Sequence, residues 1–187
     1  MPITSITFGL GYLAIIGVPP FAGFYSKDKI IETAFNAGGV QGVLFGSAAL
    51  LGAVITAFYM TRLMLMTFFG NKRWAQGTEP HESPFLMWAP MAVLAVGSVA
   101  SGYLLYSGKA IVKWLAPVVD KSKHEHTEFL PPIVVTTLAV VAVIIGVSIA
   151  FIKYRGDLSE SAPSEVSIFT RVTRRDLLQD DANEFLF

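Results

Sequence analysis

The sequence predicts an all-α integral membrane protein with about four transmembrane helices, the first of them discontinuous. Three observations carry that expectation. First, 53% of the 187 residues are hydrophobic and only 15% are charged, whereas a soluble domain has roughly 45–50% apolar and about 25% charged residues. Second, the charges gather in short stretches between long apolar runs, and those runs reach the roughly 20 residues a helix needs to cross about 30 Å of hydrocarbon. Third, the first run is too long for one straight span and is cut by Gly17, Pro19, Pro20 and Gly23.

Residues 1–36 make the first segment. Proline removes a backbone donor and its ring collides with the preceding turn, so this segment is expected as two half-helices, 3–16 and 24–36, joined by an irregular link. The second segment, 40–69, is unbroken and holds one charge, Arg62. The third, 85–107, carries Pro90 in its first turns, where proline is best tolerated. Residues 108–129 come next as an interfacial helix over 108–119 and a charged loop. In that helix Ile111, Trp114, Leu115 and Val118 recur at helical spacing beside Lys109 and Lys113, the pattern of a segment lying on the membrane surface. The fourth segment, 130–152, is rich in Val and Ile. In water that composition favours a strand, but in lipid every backbone polar group must be satisfied within the segment, so it is a helix starting near Pro132. Residues 153–187 form a polar tail with Arg171, Arg174 and Arg175, then Asp180, Asp181 and Glu184.

Basic residues flank the spans unequally. Lys72, Arg73, Lys153, Arg155 and the tail arginines fall on one side, and Lys109, Lys113, Lys121 and Lys123 on the other. The richer side, with the tail, is expected to be cytoplasmic. Small residues form two stripes: Gly42, Gly46, Ala49, Ala53 and Ala57 in the second segment, and Ala139, Ala142, Gly146 and Ala150 in the fourth. Such stripes let helix backbones approach closely in lipid, so both faces are expected to pack on further helices. Met1-Pro2 without a basic stretch does not fit a secretory signal, and a multi-pass protein of the bacterial inner (cell) membrane is the simplest fit.

Composition also excludes functions. The 14 basic and 14 acidic side chains balance, which argues against nucleic acid as a partner. There is no cysteine, so disulfides and thiolate-held clusters are out. No nucleotide loop, catalytic triad or haem motif is present, and no cofactor is expected in this chain. His124 and His126, with Glu125 and Glu128, lack a firm third ligand, and no metal site is expected there.

The residues with chemical capacity lie at and after the break. An interrupted helix exposes backbone groups that are costly in hydrocarbon unless protein or water satisfies them, and transporters place such breaks where ions are handled. Lys27, Asp28, Lys29 and Glu32 come at once after it. Asp28 and Glu32, four apart, share a face. Lys27 and Lys29 are about 200° apart around the helix, so one faces the bundle when the other does not, and Lys27 lies nearer the break. Burial favours a neutral lysine and a neighbouring carboxylate favours a charged one, which suits a group that takes up and releases a proton. The opposing reading is that these charges are hydrated at the interface. Arg62 sits roughly eight residues, about 12 Å, from the end of its span; it either snorkels or pairs with a carboxylate. His81, in PHESP at 80–84, reads as part of the turn before the third span, or as a group at a channel mouth.

The run GVPPFAGFYSKDKIIE at 17–32 closely resembles the broken-helix motif of the terminal antiporter-like subunit of respiratory complex I, NADH:quinone oxidoreductase, known in bacteria as subunit L and in mitochondria as subunit five. AFYMTRLMLMTFFG at 57–70 resembles that family's next helix, and PHESP the start of the one after. The resemblance implies a place in the proton-translocating membrane arm, with Lys27 as a proton relay, Asp28 as its acidic neighbour, and Arg62, Glu32 and His81 as secondary candidates. It implies other membrane subunits as partners, above all the neighbouring antiporter-like one, together with lipid. Flavin and iron–sulfur clusters belong elsewhere in such a complex. The family's remaining proton-path residues lie on earlier helices with no counterpart here, so this chain resembles the later part of such a subunit and Met1 an internal methionine. Two other readings stand beside this one: a related sodium/proton antiporter or membrane-bound hydrogenase, and a small membrane scaffold protein without a proton path.

Overall fold

The computed structural model describes residues 1–70, 77–117 and 130–156, and every regular element among them is helical. In chain order these are α1 (Pro2–Ile16), α2 (Ala22–Phe35), α3 (Gly39–Phe68), α4 (Phe85–Tyr106), a 3-10 turn at Ser107–Lys109, α5 (Ala110–Leu115) and α6 (Pro132–Tyr154). Lys72, Arg73, Lys121, Lys123, the His124–His126 pair with its glutamates, the end of the expected interfacial helix and most of the polar tail lie outside the described residues.

Three stretches are long and apolar enough to cross a membrane: α3, α4 continued into α5, and α6. The halves of the broken segment, α1 with 15 residues and α2 with 14, are each too short to do so alone. At about 1.5 Å per residue, the 30 residues of α3 exceed the thickness of the hydrocarbon layer, so this helix tilts or projects beyond it.

Pro90 is the sixth residue of α4, within its first two turns as expected, and its missing amide leaves the Leu86 carbonyl without the usual partner one turn on. One local expectation needs correction. The helix expected over 108–119 begins later, because Gly108 (φ 64°) and Lys109 (φ 55°) take left-handed backbone that ends α4. Among the described residues of that stretch only the six-residue α5 is α-helical, and its side chains are exposed.

The helices meet through small residues. The buried face of α3 consists of Gly42, Gly46, Ala53, Ala57 and Thr61, and that of α6 of Val135, Ala139, Ala142, Gly146 and Ala150. The α3 stripe serves two neighbours. At its start, the Phe35 ring of α2 fills the space where Gly46 would carry a Cβ. Further along, Gly146 of α6 faces the Val54 carbonyl and Ala57. Ile31, Phe35, Val135 and Ala139 form a cluster joining α2 and α6, with Ala49, Leu50 and Leu130 packed against it. On the other flank α4 lies against α1 and α2. A Cβ at Gly102 would lie 2.6 Å from the Ala22 Cα, and Tyr25 stacks on Tyr106 with ring centroids 4.8 Å apart. The outward faces carry Leu86, Val93, Leu94, Ile144 and Ile152, all exposed, as a lipid-facing surface requires.

Candidate functional site

The break is built by the sequence between the two half-helices. Gly17 ends α1 in left-handed backbone (φ 84°, ψ 42°), a conformation that favours glycine because a Cβ is penalised there. Its amide donates to the Ala14 carbonyl at 3.1 Å, and the Val18 amide donates to the Leu13 carbonyl at 3.0 Å. This pair of bonds is the paired closure common at helix C-termini. The Pro19–Pro20 bond is cis. The Phe21 amide then donates to the Val18 carbonyl at 2.9 Å, and α2 begins at Ala22. A Cβ on Gly23 would overlap the Ala14 carbonyl, so glycine there allows the start of α2 to cross the end of α1.

That closure leaves the last two carbonyls of α1 open, and Lys27 takes both. Its Nζ donates to the Ile15 oxygen at 3.1 Å and the Ile16 oxygen at 3.5 Å. The ammonium therefore sits at the carboxyl end of a half-helix, where the partial negative charge of the carbonyls favours a cation. The lysine is half-buried, whereas Lys29 points outward and pairs with Glu32 at 2.6 Å. Lys29–Glu32 is the only ion pair among the described residues. Asp28 is half-buried beside Thr136 of α6. One helical turn beyond Glu32, the side-chain oxygen of Asn36 is buried without a hydrogen-bond partner, so Asp28, Glu32 and Asn36 make a polar stripe along α2.

The structure separates the other candidates from this centre. Arg62 is exposed and lies 5.3 Å above the Tyr154 ring of α6. The same Tyr154 lines a cavity of about 230 Å³ together with Leu65, Phe69, Gly70, Phe151 and Arg155. His81 is exposed, and its neighbour Glu82 makes the structural contacts instead. The Glu82 carboxylate accepts from the Ile3 amide at 3.0 Å, the Thr4 amide at 3.3 Å and the Thr4 hydroxyl at 2.8 Å. Desolvation pushes this carboxyl up, but the Thr4 hydroxyl and the Thr4 and Ile3 amides outweigh it and hold the group below its usual range. Tyr12 and Thr61 join α1 to α3 through hydroxyls 3.0 Å apart. Thr61 spends its proton on the Ala57 carbonyl at 2.6 Å, so Tyr12 is the donor. Sequence reasoning passed over Glu82, Tyr12, Thr61 and Thr136. Glu82 alone had a visible signal, as a carboxylate in the motif that contains His81.

The model of a family described as NADH:quinone oxidoreductase/Mrp antiporter transmembrane proteins matches residues 1–56, the region holding α1, the break, α2 and the first part of α3. Over its full length the chain is 56% identical to the NADH-quinone oxidoreductase subunit L of Mycobacterium tuberculosis, across 30% of that protein. The chain belongs to this antiporter-like family. Subunit L of Rickettsia bellii is 32% identical over the whole chain, again across 30% of the relative. The NAD(P)H-quinone oxidoreductase chain 5 of a Picosynechococcus strain is 37% identical over 82% of the chain, across 26% of that protein. The chain thus spans less than a third of the length of these curated relatives. Its family and its apolar helices make it a multi-pass membrane protein.

Proposed function

We propose that this chain is part of the proton-translocating membrane arm of an NADH:quinone oxidoreductase of the bacterial inner membrane, with Lys27 as a proton relay. The observation that carries the reading is the half-buried Lys27 ammonium on the Ile15 and Ile16 carbonyls of a broken helix, with Asp28 next to it. Proton transfer there is an exchange between a charged state favoured by the carbonyls and Asp28, and a neutral state favoured by burial. Moving one charge across 100 mV takes about 2.3 kcal/mol. A swing of roughly two units in a lysine's pKa, at 1.36 kcal/mol per unit, supplies energy of that order. Other membrane subunits, the neighbouring antiporter-like one in particular, complete the path. Flavin and iron–sulfur groups elsewhere in the complex carry the electrons. The polar tail lies on the cytoplasmic side.

The test is substitution of Lys27 in the full-length subunit of the assembled enzyme. Lys27→Ala and Lys27→Arg are compared for protons translocated per NADH oxidised in membrane vesicles. Arginine keeps a cation on the two carbonyls but does not release its proton, so the relay reading expects both variants to pump less. Parental stoichiometry in the arginine variant would reduce Lys27 to a helix cap. A sodium/proton antiporter remains the second reading, because the matching family is described as including Mrp antiporters. Sodium-dependent antiport from a particle that oxidises no NADH would favour it. Comigration of the chain with NADH oxidation on a native gel would favour the first.

A further inference from the structure

α1 is a helix with little of its own to hold it. Of its 15 residues only Ile16 is buried, its own N-cap residue Met1 makes no side-chain capping bond, and it has neither an acid in its first turn nor a base in its last. Pro2, with no amide to donate, sets its beginning, so Ile3 and Thr4 carry the first free amides. A helix of this kind leaves a partial positive charge at its start and a partial negative charge at its end, and in hydrocarbon both need partners. The chain supplies both from other segments. Lys27 of α2 holds the end through the Ile15 and Ile16 carbonyls, and Glu82 holds the start through three hydrogen bonds. Glu82 sits two residues before Pro84, the N-cap of α4, so its contact ties the end of the α3–α4 connection to the broken helix.

We propose that Glu82 is a positioning residue for proton transfer at Lys27. Its carboxylate fixes the start of α1, and the rigid half-helix carries that placement to the Ile15 and Ile16 carbonyls that hold the lysine. When Glu82 is lost, the first turn of α1 frays, the half-helix shifts along α4, and the carbonyl pair no longer presents a fixed seat to the ammonium. The effect on pumping therefore passes through Lys27. The inference rests on the relay reading of Lys27 and adds to it the residue that sets the relay's geometry.

The test uses the full-length subunit in the assembled complex and a double-mutant cycle. Glu82→Ala, Lys27→Ala and the double variant are compared for protons per NADH, normalised to assembled, NADH-oxidising enzyme, with Glu82→Gln as the conservative variant. The expected result is that Glu82→Ala lowers the ratio in the parent but adds nothing in the Lys27→Ala background, since residues acting through one group are not additive. Glutamine, which keeps one carbonyl oxygen for the Thr4 hydroxyl and amide, should restore part of the loss. Hydrogen exchange at the first turn of α1 should speed up roughly fivefold in Glu82→Ala, as for a lost helix cap. Losses that add in the double variant, or a Glu82→Ala enzyme with the parental ratio while Lys27→Ala is impaired, would overturn this inference and leave the relay standing. A parental ratio in Lys27→Ala itself would overturn both. If Glu82→Ala fails to assemble, Thr4→Val removes one of the three bonds and runs through the same cycle.

Discussion

The contact between α3 and α6 allows a prediction in which one energetic term can be isolated. A Cβ built on Gly146 would lie 2.9 Å from the Ala57 Cβ and 3.1 Å from the Phe58 amide nitrogen, and still nearer the Val54 carbonyl. Carbon atoms at rest sit about 3.5–4.0 Å apart, so Gly146→Ala pushes α6 outward by at least about 0.6 Å against Ala57. The obstacle is α3 backbone, which does not swing aside as a side-chain tip would. Overpacking of this kind costs about 1–3 kcal/mol. Gly97 of α4 supplies the control, because nothing lies within 4 Å of the Cβ it lacks. Both substitutions gain the same helix propensity, near 1 kcal/mol, so their difference isolates the clash. The expected gap is about 1–3 kcal/mol, or roughly five- to 150-fold in the unfolding equilibrium at 1.4 kcal/mol per tenfold. It is measured by reversible unfolding of the full-length subunit in mixed micelles. If Gly146→Ala proves as stable as Gly97→Ala, the small-residue stripes do not set the distance between these helices.

Three other contacts yield outcomes that can be measured. Tyr12→Phe removes the donor to Thr61 but leaves Thr61 bonded to the Ala57 carbonyl; the loss should be near the average of about 0.6 kcal/mol for such bonds in membranes, and a loss above about 2 would mean the hydroxyl pair belongs to a larger network. Because the folded Glu82 carboxyl is held below its usual range, its latch is complete above the unfolded value of about 4.3 and is lost as pH falls through the lower folded value. Protection of the first-turn amides of α1 against hydrogen exchange, referred to the intrinsic rate at each pH, should therefore be flat from pH 7 to 5 and fall in stronger acid, a fall absent from Glu82→Gln. Arg62→Ala should cost no more than about 0.5–1 kcal/mol, the range for an exposed cation over a ring, and leave protons per NADH unchanged; a fall in that ratio would return Arg62 to the proton path.

Much of the fold was legible because lipid simplifies the choices. The Val-rich α6 is a strand by propensity and a helix by necessity. Stripes spaced by three and four could only lie on one helix face, and the partners account for the small residues: the Phe35 ring meets Gly46, the Phe35 carbonyl meets Gly42, and Gly146 of α6 meets Ala57. Legibility stopped where a contact depends on tertiary placement. Nothing near Glu82 in sequence shows that α1, 78 and 79 positions away, begins beside it, so His81 drew attention in its place. The short α5 depended on left-handed backbone at Lys109, which composition does not betray.

The choice between Lys27 and Lys29 shows what the sequence supplied and what the structure added. Spacing established that one lysine faces inward and the other outward. The structure adds why the inward one is bound to the break: of the last four carbonyls of α1, two are closed by Val18 and Gly17 amides and two by Lys27. In water an open carbonyl at a helix end would be hydrated at little cost; in hydrocarbon it is not. Lys27 therefore satisfies the backbone of the break. A charged ammonium has three donors and a neutral amine two, so either state can serve both carbonyls, and only the charge-assisted part of the two bonds changes with the proton. A side chain that keeps its hydrogen bonds while its charge changes can exchange a proton without opening the helix break, which a carboxylate at the same place, having no donor when charged, could not do.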